Sequence, residues 1–161
     1  MGFASAWVAL SPATIEGGCM RFVPRSHRMD VVPHRDAFAS DNLLSRGQEI
    51  DVDVDENEAV DIVLRPGEMS LHHVKLVHGS KPNRADQRRI GFAIRYGPTY
   101  VRQLIGEKDS AVLVRGTDTE NNFEHERPPV CDLDEPALKQ YAAIMKRNEA
   151  VLYRGTGRGF R

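Results

Sequence analysis

Six histidines occur in this chain, at positions 27, 34, 72, 73, 78 and 125. Three of them fall within one short segment, Leu71-His72-His73-Val74-Lys75-Leu76-Val77-His78, and Arg89 stands eleven residues beyond the last. The interval holds Pro82 and Asn83, so its length places His78 and Arg89 near facing ends of consecutive antiparallel strands, which lie about 4.8 Å apart. An imidazole there can hold a divalent metal, while a guanidinium on the next strand clamps a carboxylate with its planar fork. Ser80 adds a hydroxyl donor for the same carboxylate. The strand opened by Arg89 suits this use: Arg89, Gly91 and Ala93 share one face and leave room for a small ligand, whereas Ile90, Phe92, Ile94 and Tyr96 share the other. A diacid that chelates iron through one end, such as 2-oxoglutarate, matches both groups. Histidine–arginine pairs are common, so the spacing alone leaves the chemistry open.

The other histidines have plainer readings. His34-Arg35-Asp36 is a literal His-x-Asp, but it follows Pro33 in a polar stretch and is expected to be a loop feature. His27 reads as a turn residue bonded to backbone. His72 is expected to face away from the site, and His125 to be solvated among Glu124, Glu126 and Arg127.

The elements that must position these groups are mostly short strands. Phe3 to Leu10 is an apolar strand carrying Trp7, and Cys19 to Val23 follows the Gly17-Gly18 turn. Residues 25–47 form a long polar loop. Alternation at Ile50, Val52 and Val54 predicts a half-buried strand over 49–54, and further strands fall at 59–64, 69–71, 76–78 and 89–96. A succession of short strands divided by turn residues favours a sandwich or jelly roll. The C-terminal part changes character. Asp134 can cap a helix whose first turn holds Glu135 and Pro136, and Leu138, Tyr141, Ala142, Met145 and Leu152 keep helical spacing. The divisions predicted are a β core over 1–130, a helix packed on it over 131–154, and a flexible tail over 155–161.

With 161 residues and a net charge of −1, the chain lacks the basic footprint of a nucleic-acid or anionic-membrane binder. No apolar run is long enough to span a bilayer and no signal-peptide pattern is present, so a cytoplasmic protein is expected. The two cysteines, Cys19 and Cys131, form no paired motif.

Taken in order, the strings Ala6-Trp7-Val8-Ala9-Leu10, Glu16-Gly17-Gly18-Cys19-Met20, Pro24-Arg25-Ser26-His27, Pro66-Gly67-Glu68, His78-Gly79-Ser80-Lys81-Pro82-Asn83 and Arg89 through Tyr96 resemble the phytanoyl-CoA dioxygenase family over nearly the whole chain. The resemblance implies a mainly β, cupin-like double-stranded β-helix (a jelly roll) with a C-terminal α-helix. It implies Fe(II) and 2-oxoglutarate as cofactors, His78 as the distal iron ligand, Arg89 and Ser80 as the co-substrate clamp, and Trp7 at the pocket border. His73 would sit close to the iron. Arg25 stands where relatives tend to have glycine, a departure expected to alter the turn and not the chemistry.

By the same resemblance, the proximal His-x-Asp pair of the iron triad lies upstream of the tryptophan strand. Here six residues precede Trp7, and none is His, Asp or Glu. The expectation is therefore a fold incomplete at its N-terminus, with sheet edges that invite self-association. The activity implied is hydroxylation of a C–H bond in a small-molecule or acyl substrate, with 2-oxoglutarate decarboxylated to succinate. An inactive remnant, a 2-oxoglutarate-binding module and a relative of the non-heme iron halogenases stay open beside it.

Overall fold

The computed structural model describes residues 2–38 and 47–157. These divide into two compact units, 2–38 with 47–97, and 98–157. The remainder of the predicted loop, 39–46, and the end of the predicted tail, 158–161, lie outside the described residues.

The first unit is built from eight short strands: β1 Ala4–Ala9, β2 Met20–Phe22, β3 His34–Asp36, β4 Gln48–Ile50, β5 Val60–Ile62, β6 Met69–His73, β7 His78–Ser80 and β8 Gly91–Tyr96. Two three-stranded antiparallel sheets result, ordered β6-β1-β8 and β5-β2-β7, with β3 and β4 paired separately. From β5 to β8 each successive strand joins the other of the two larger sheets. This overturns the expected adjacency of His78 and Arg89. β7 pairs with β2 and β8 pairs with β1, so the two residues belong to different sheets and no ladder joins them. The turn between them carries the chain across, not back alongside.

The nearly inaccessible apolar residues of this unit are Ala6, Ala9, Ala13, Cys19 and Met20, of which only the methionine is large. Close backbone approach takes the place of large buried side chains. At Gly18, where φ is +68°, a Cβ would stand 2.4 Å from the carbonyl oxygen of Lys81, so glycine lets the β1–β2 connection pack on the chain leaving β7. The outer face of the β6-β1-β8 sheet is open. Met69, Leu71, Phe92 and Tyr96 share it and are 60%, 69%, 58% and 43% exposed.

The second unit contains a two-residue parallel ladder, β9 Ser110–Ala111 with β10 Glu124–His125, and the helix α1, Glu135–Leu152. The Asp134 carboxylate accepts a hydrogen bond from the Ala137 amide at 3.1 Å, and Pro136 lies in the first turn, as its sequence predicts. Arg147 on α1 pairs with Glu124 on β10. Among the described residues, no helix is long and apolar enough to cross a membrane.

Candidate functional site

Strand register decides which side chains meet. Trp7 pairs with Ser70 on one side and Ala93 on the other, so Ser5, Trp7, Ser70, His72, Gly91 and Ala93 share one face of the β6-β1-β8 sheet. Gly91 makes the space for the indole: a Cβ there would stand 2.0 Å from Cζ2 of Trp7. Two residues before Gly91, the Arg89 guanidinium lies over the Trp7 ring, 5.5 Å from its centre, within cation–π range. Arg89 also acts on the buried Cys19 thiol. Burial and the charge of Asp61 push that thiol up, and Arg89 and Arg21 are among the groups that pull it back.

His78 stands on the other sheet. It pairs with Phe22 and Ser80 pairs with Met20, so these four share a face of β2 and β7. That face meets the one bearing Trp7. The Phe22 ring lies 4.7 Å from His72, and the His72 and His78 rings are 5.6 Å apart, centre to centre. His78 Nδ1 lies 2.7 Å from the Leu76 carbonyl oxygen. A carbonyl only accepts, so Nδ1 carries a proton, and in the neutral ring Nε2 keeps its lone pair, the tautomer that can bind a metal through Nε2. The strand start is pinned as well: buried Ser26 donates to the Val23 carbonyl at 2.8 Å and accepts from the Val77 amide at 2.8 Å. The turn that supports Ser26 includes Arg25 at φ +67°, a left-handed conformation in which glycine is the unstrained residue.

Of the residues expected in the site, Arg89 and Trp7 are in contact, and His78 and Ser80 share the opposing face. Among the described residues, no hydrogen bond or ring contact joins His78 directly to Arg89. A cleft beside β7 is lined by Arg21, Val23, Val77, His78, Ser80 and Lys81, and neither Arg89 nor Trp7 lines it.

His27 lies in a turn and His125 is exposed, as read, whereas His72 and His34 differ from their sequence readings. His72, expected to face away, is the one beside His78. Burial first, and then the charge of His78, hold its imidazole below the usual histidine range. His73, expected near the iron, lies on the other face of β6, its ring tilted against His27 at 5.8 Å between centres, and its Nδ1 accepts from the Lys75 amide at 3.1 Å. The reason is the two-residue period of β6, which sends neighbouring side chains to opposite faces. His34 and Asp36 lie on β3, a paired strand and not a loop. Among the described residues, no three histidine, cysteine or acidic side chains are grouped to hold a metal ion, so this pair does not complete a triad with His78. His125 is partnered by Asp118, Nε2 to Oδ2 at 2.9 Å.

Residues 1–91 match the family model described as Phytanoyl-CoA dioxygenase (PhyH). Over 87 residues the chain is 30% identical to the dioxygenase lolE1 of Epichloe uncinata, which covers 54% of this chain and 30% of that protein. The non-heme monooxygenase ThoJ resembles it in structure. Its apo form is 41% identical with a TM-score of 0.79, over 94% of this chain and 55% of ThoJ, and its nickel complex is 36% identical with a TM-score of 0.72, over 94% and 52%. EvdO2 of Micromonospora carbonacea var. aurantiaca, solved with 2-oxoglutarate, is 35% identical with a TM-score of 0.51, over 58% of this chain and 37% of EvdO2. The chain thus spans 30% of lolE1 and 55% of ThoJ.

Proposed function

Because the chain belongs to the phytanoyl-CoA dioxygenase family, whose members are non-heme iron enzymes using 2-oxoglutarate, we propose that it carries the distal-histidine and co-substrate half of such an oxygenase. The reaction is hydroxylation of a C–H bond in a small-molecule or acyl substrate, with 2-oxoglutarate decarboxylated to succinate. The fold proposed is the double-stranded β-helix, supported by the alternation of β5 to β8 between two sheets.

The observation that carries this reading is the pairing of faces: His78 on one sheet and Trp7, with Arg89 above it, on the other, joined through the His72 contacts. The residues present fit a metal as nitrogen donors, since the Leu76 carbonyl fixes His78 with Nε2 uncommitted. Iron(II), when bound, supplies the oxygen chemistry. His78 would hold it through Nε2. Arg89, with Ser80, would take the far carboxylate of 2-oxoglutarate by charge-assisted hydrogen bonds, leaving the Trp7 ring as an apolar wall.

A second reading, a 2-oxoglutarate-binding module without turnover, draws on the lack of a three-ligand group among the described residues. Incubating the purified full chain with Fe(II), 2-oxoglutarate, ascorbate and oxygen separates the two. Succinate above the metal-free control supports the oxygenase. Saturable 2-oxoglutarate binding without succinate supports the module, and the lack of both defeats each reading.

A further inference from the structure

We propose that His72 is a metal-binding residue of this chain, forming with His78 a two-imidazole site for a divalent transition metal. The proposal rests on the reading of His78 as a metal ligand and adds a donor from the opposite sheet.

Three observations converge. The rings lie 5.6 Å apart, centre to centre, across the space between the sheets. With a metal–nitrogen bond of about 2.1 Å, a ring centre stands about 3.2 Å from the ion, so this separation subtends about 120° at a shared metal. That lies near the tetrahedral range, and closing by about 1 Å would reach an octahedral cis arrangement. Second, each ring has its Nδ1 directed at a group two residues back. Nδ1 of His78 is held by the carbonyl of Leu76 at 2.7 Å, and Nδ1 of His72 faces the Ser70 hydroxyl at 3.4 Å. Both anchors lie two residues back on the same strand or its approach. Both Nε2 atoms are left without a hydrogen-bond partner among the described residues, the arrangement that orients histidine ligands. Third, Phe22 packs against both rings, 4.7 Å from His72 and 6.2 Å from His78, and restricts their rotation.

His73 offers no such donor, because the Lys75 amide occupies its Nδ1 and its ring lies against His27. The adjacent histidines therefore divide by strand parity: one faces the inter-sheet space and the other the opposite side.

The test is Ni(II) titration of the full-length chain, followed by calorimetry, with His72→Gln, His78→Gln and the remote His125→Gln. The expected result is one equivalent bound by the wild type and by His125→Gln, with affinity reduced at least about tenfold in each of the other two. Loss in His78→Gln with wild-type affinity in His72→Gln would overturn the proposal and leave the role of His78 standing. Unchanged affinity in both would overturn both readings. Pulsed electron paramagnetic resonance of the Cu(II)-loaded wild type needs no variant to fold. Two coupled imidazoles are expected, and one alone would overturn the assignment of His72.

Discussion

The guanidinium of Arg89 stands 5.5 Å from the centre of the Trp7 indole, and that indole occupies the space left by the missing Cβ of Gly91. The three residues form one unit: glycine admits the ring, and the ring supports the cation. Substituting Gly91→Ala places a methyl 2.0 Å from Cζ2 of a rigid side chain, so the ring must move. The expected cost is about 1–3 kcal/mol of stability, as for other overpacked sites. Trp7 is the sole tryptophan, so its emission reports the displacement directly. An unshifted spectrum and unchanged unfolding midpoint would contradict this packing.

Arg25 provides a test of opposite sign. It holds φ at +67° beside the buried Ser26 that bonds the Val77 amide. Arg25→Gly removes the left-handed strain and should stabilise the chain by about 1 kcal/mol in urea unfolding. A loss of stability would show that the arginine side chain contributes more than its backbone costs.

The two thiols should separate by reactivity. Cys131 is exposed, whereas Cys19 is buried, and burial followed by the charge of Asp61 pushes its thiol up. Near pH 8 one thiol per chain should react rapidly with a disulfide reagent and the second at least about tenfold more slowly, until denaturant is added. The sign for stability follows. A native thiol that holds its proton past the unfolded value loses stability as pH rises above about 8.5, where the unfolded state ionises first. Two equally fast thiols in the native protein would contradict the burial.

The open outer face of the β6-β1-β8 sheet bears Leu71 and Phe92 at 69% and 58% exposure. Apolar surface of this kind is expected to drive self-association. Sedimentation velocity should show a concentration-dependent rise in mass, reduced in the double variant Leu71→Glu with Phe92→Glu. A wild type that stays monomeric across the range would contradict it.

Local pattern made much of this legible. The apolar stretches predict β1, β2, β5, β6 and β8 close to where they lie, and Asp134 with Pro136 marks the start of α1. The shared face of Arg89, Gly91 and Ala93 follows from period two, and Gly91 does lie under Trp7. What alternation does not carry is the identity of a strand's partner. His78 and Arg89 are close in sequence, yet β7 seeks β2 and β8 seeks β1, both far along the chain. The choice between His72 and His73 fails for the same reason. Parity says only that they face opposite sides, and the side is set by the register Ser5 to His72, a pairing across 67 positions. β3 was hidden because His34-Arg35-Asp36 is polar throughout, and strands are read from apolar alternation.

Titration of 2-oxoglutarate into the Ni(II)-loaded full-length chain, followed by calorimetry, bears most directly on the site proposed for metal and co-substrate. The wild type should bind one equivalent saturably, and Arg89→Gln should weaken binding at least about tenfold, the worth of a charge-assisted hydrogen bond to a carboxylate. The lack of saturable binding by the wild type, or equal affinity in Arg89→Gln, would contradict it.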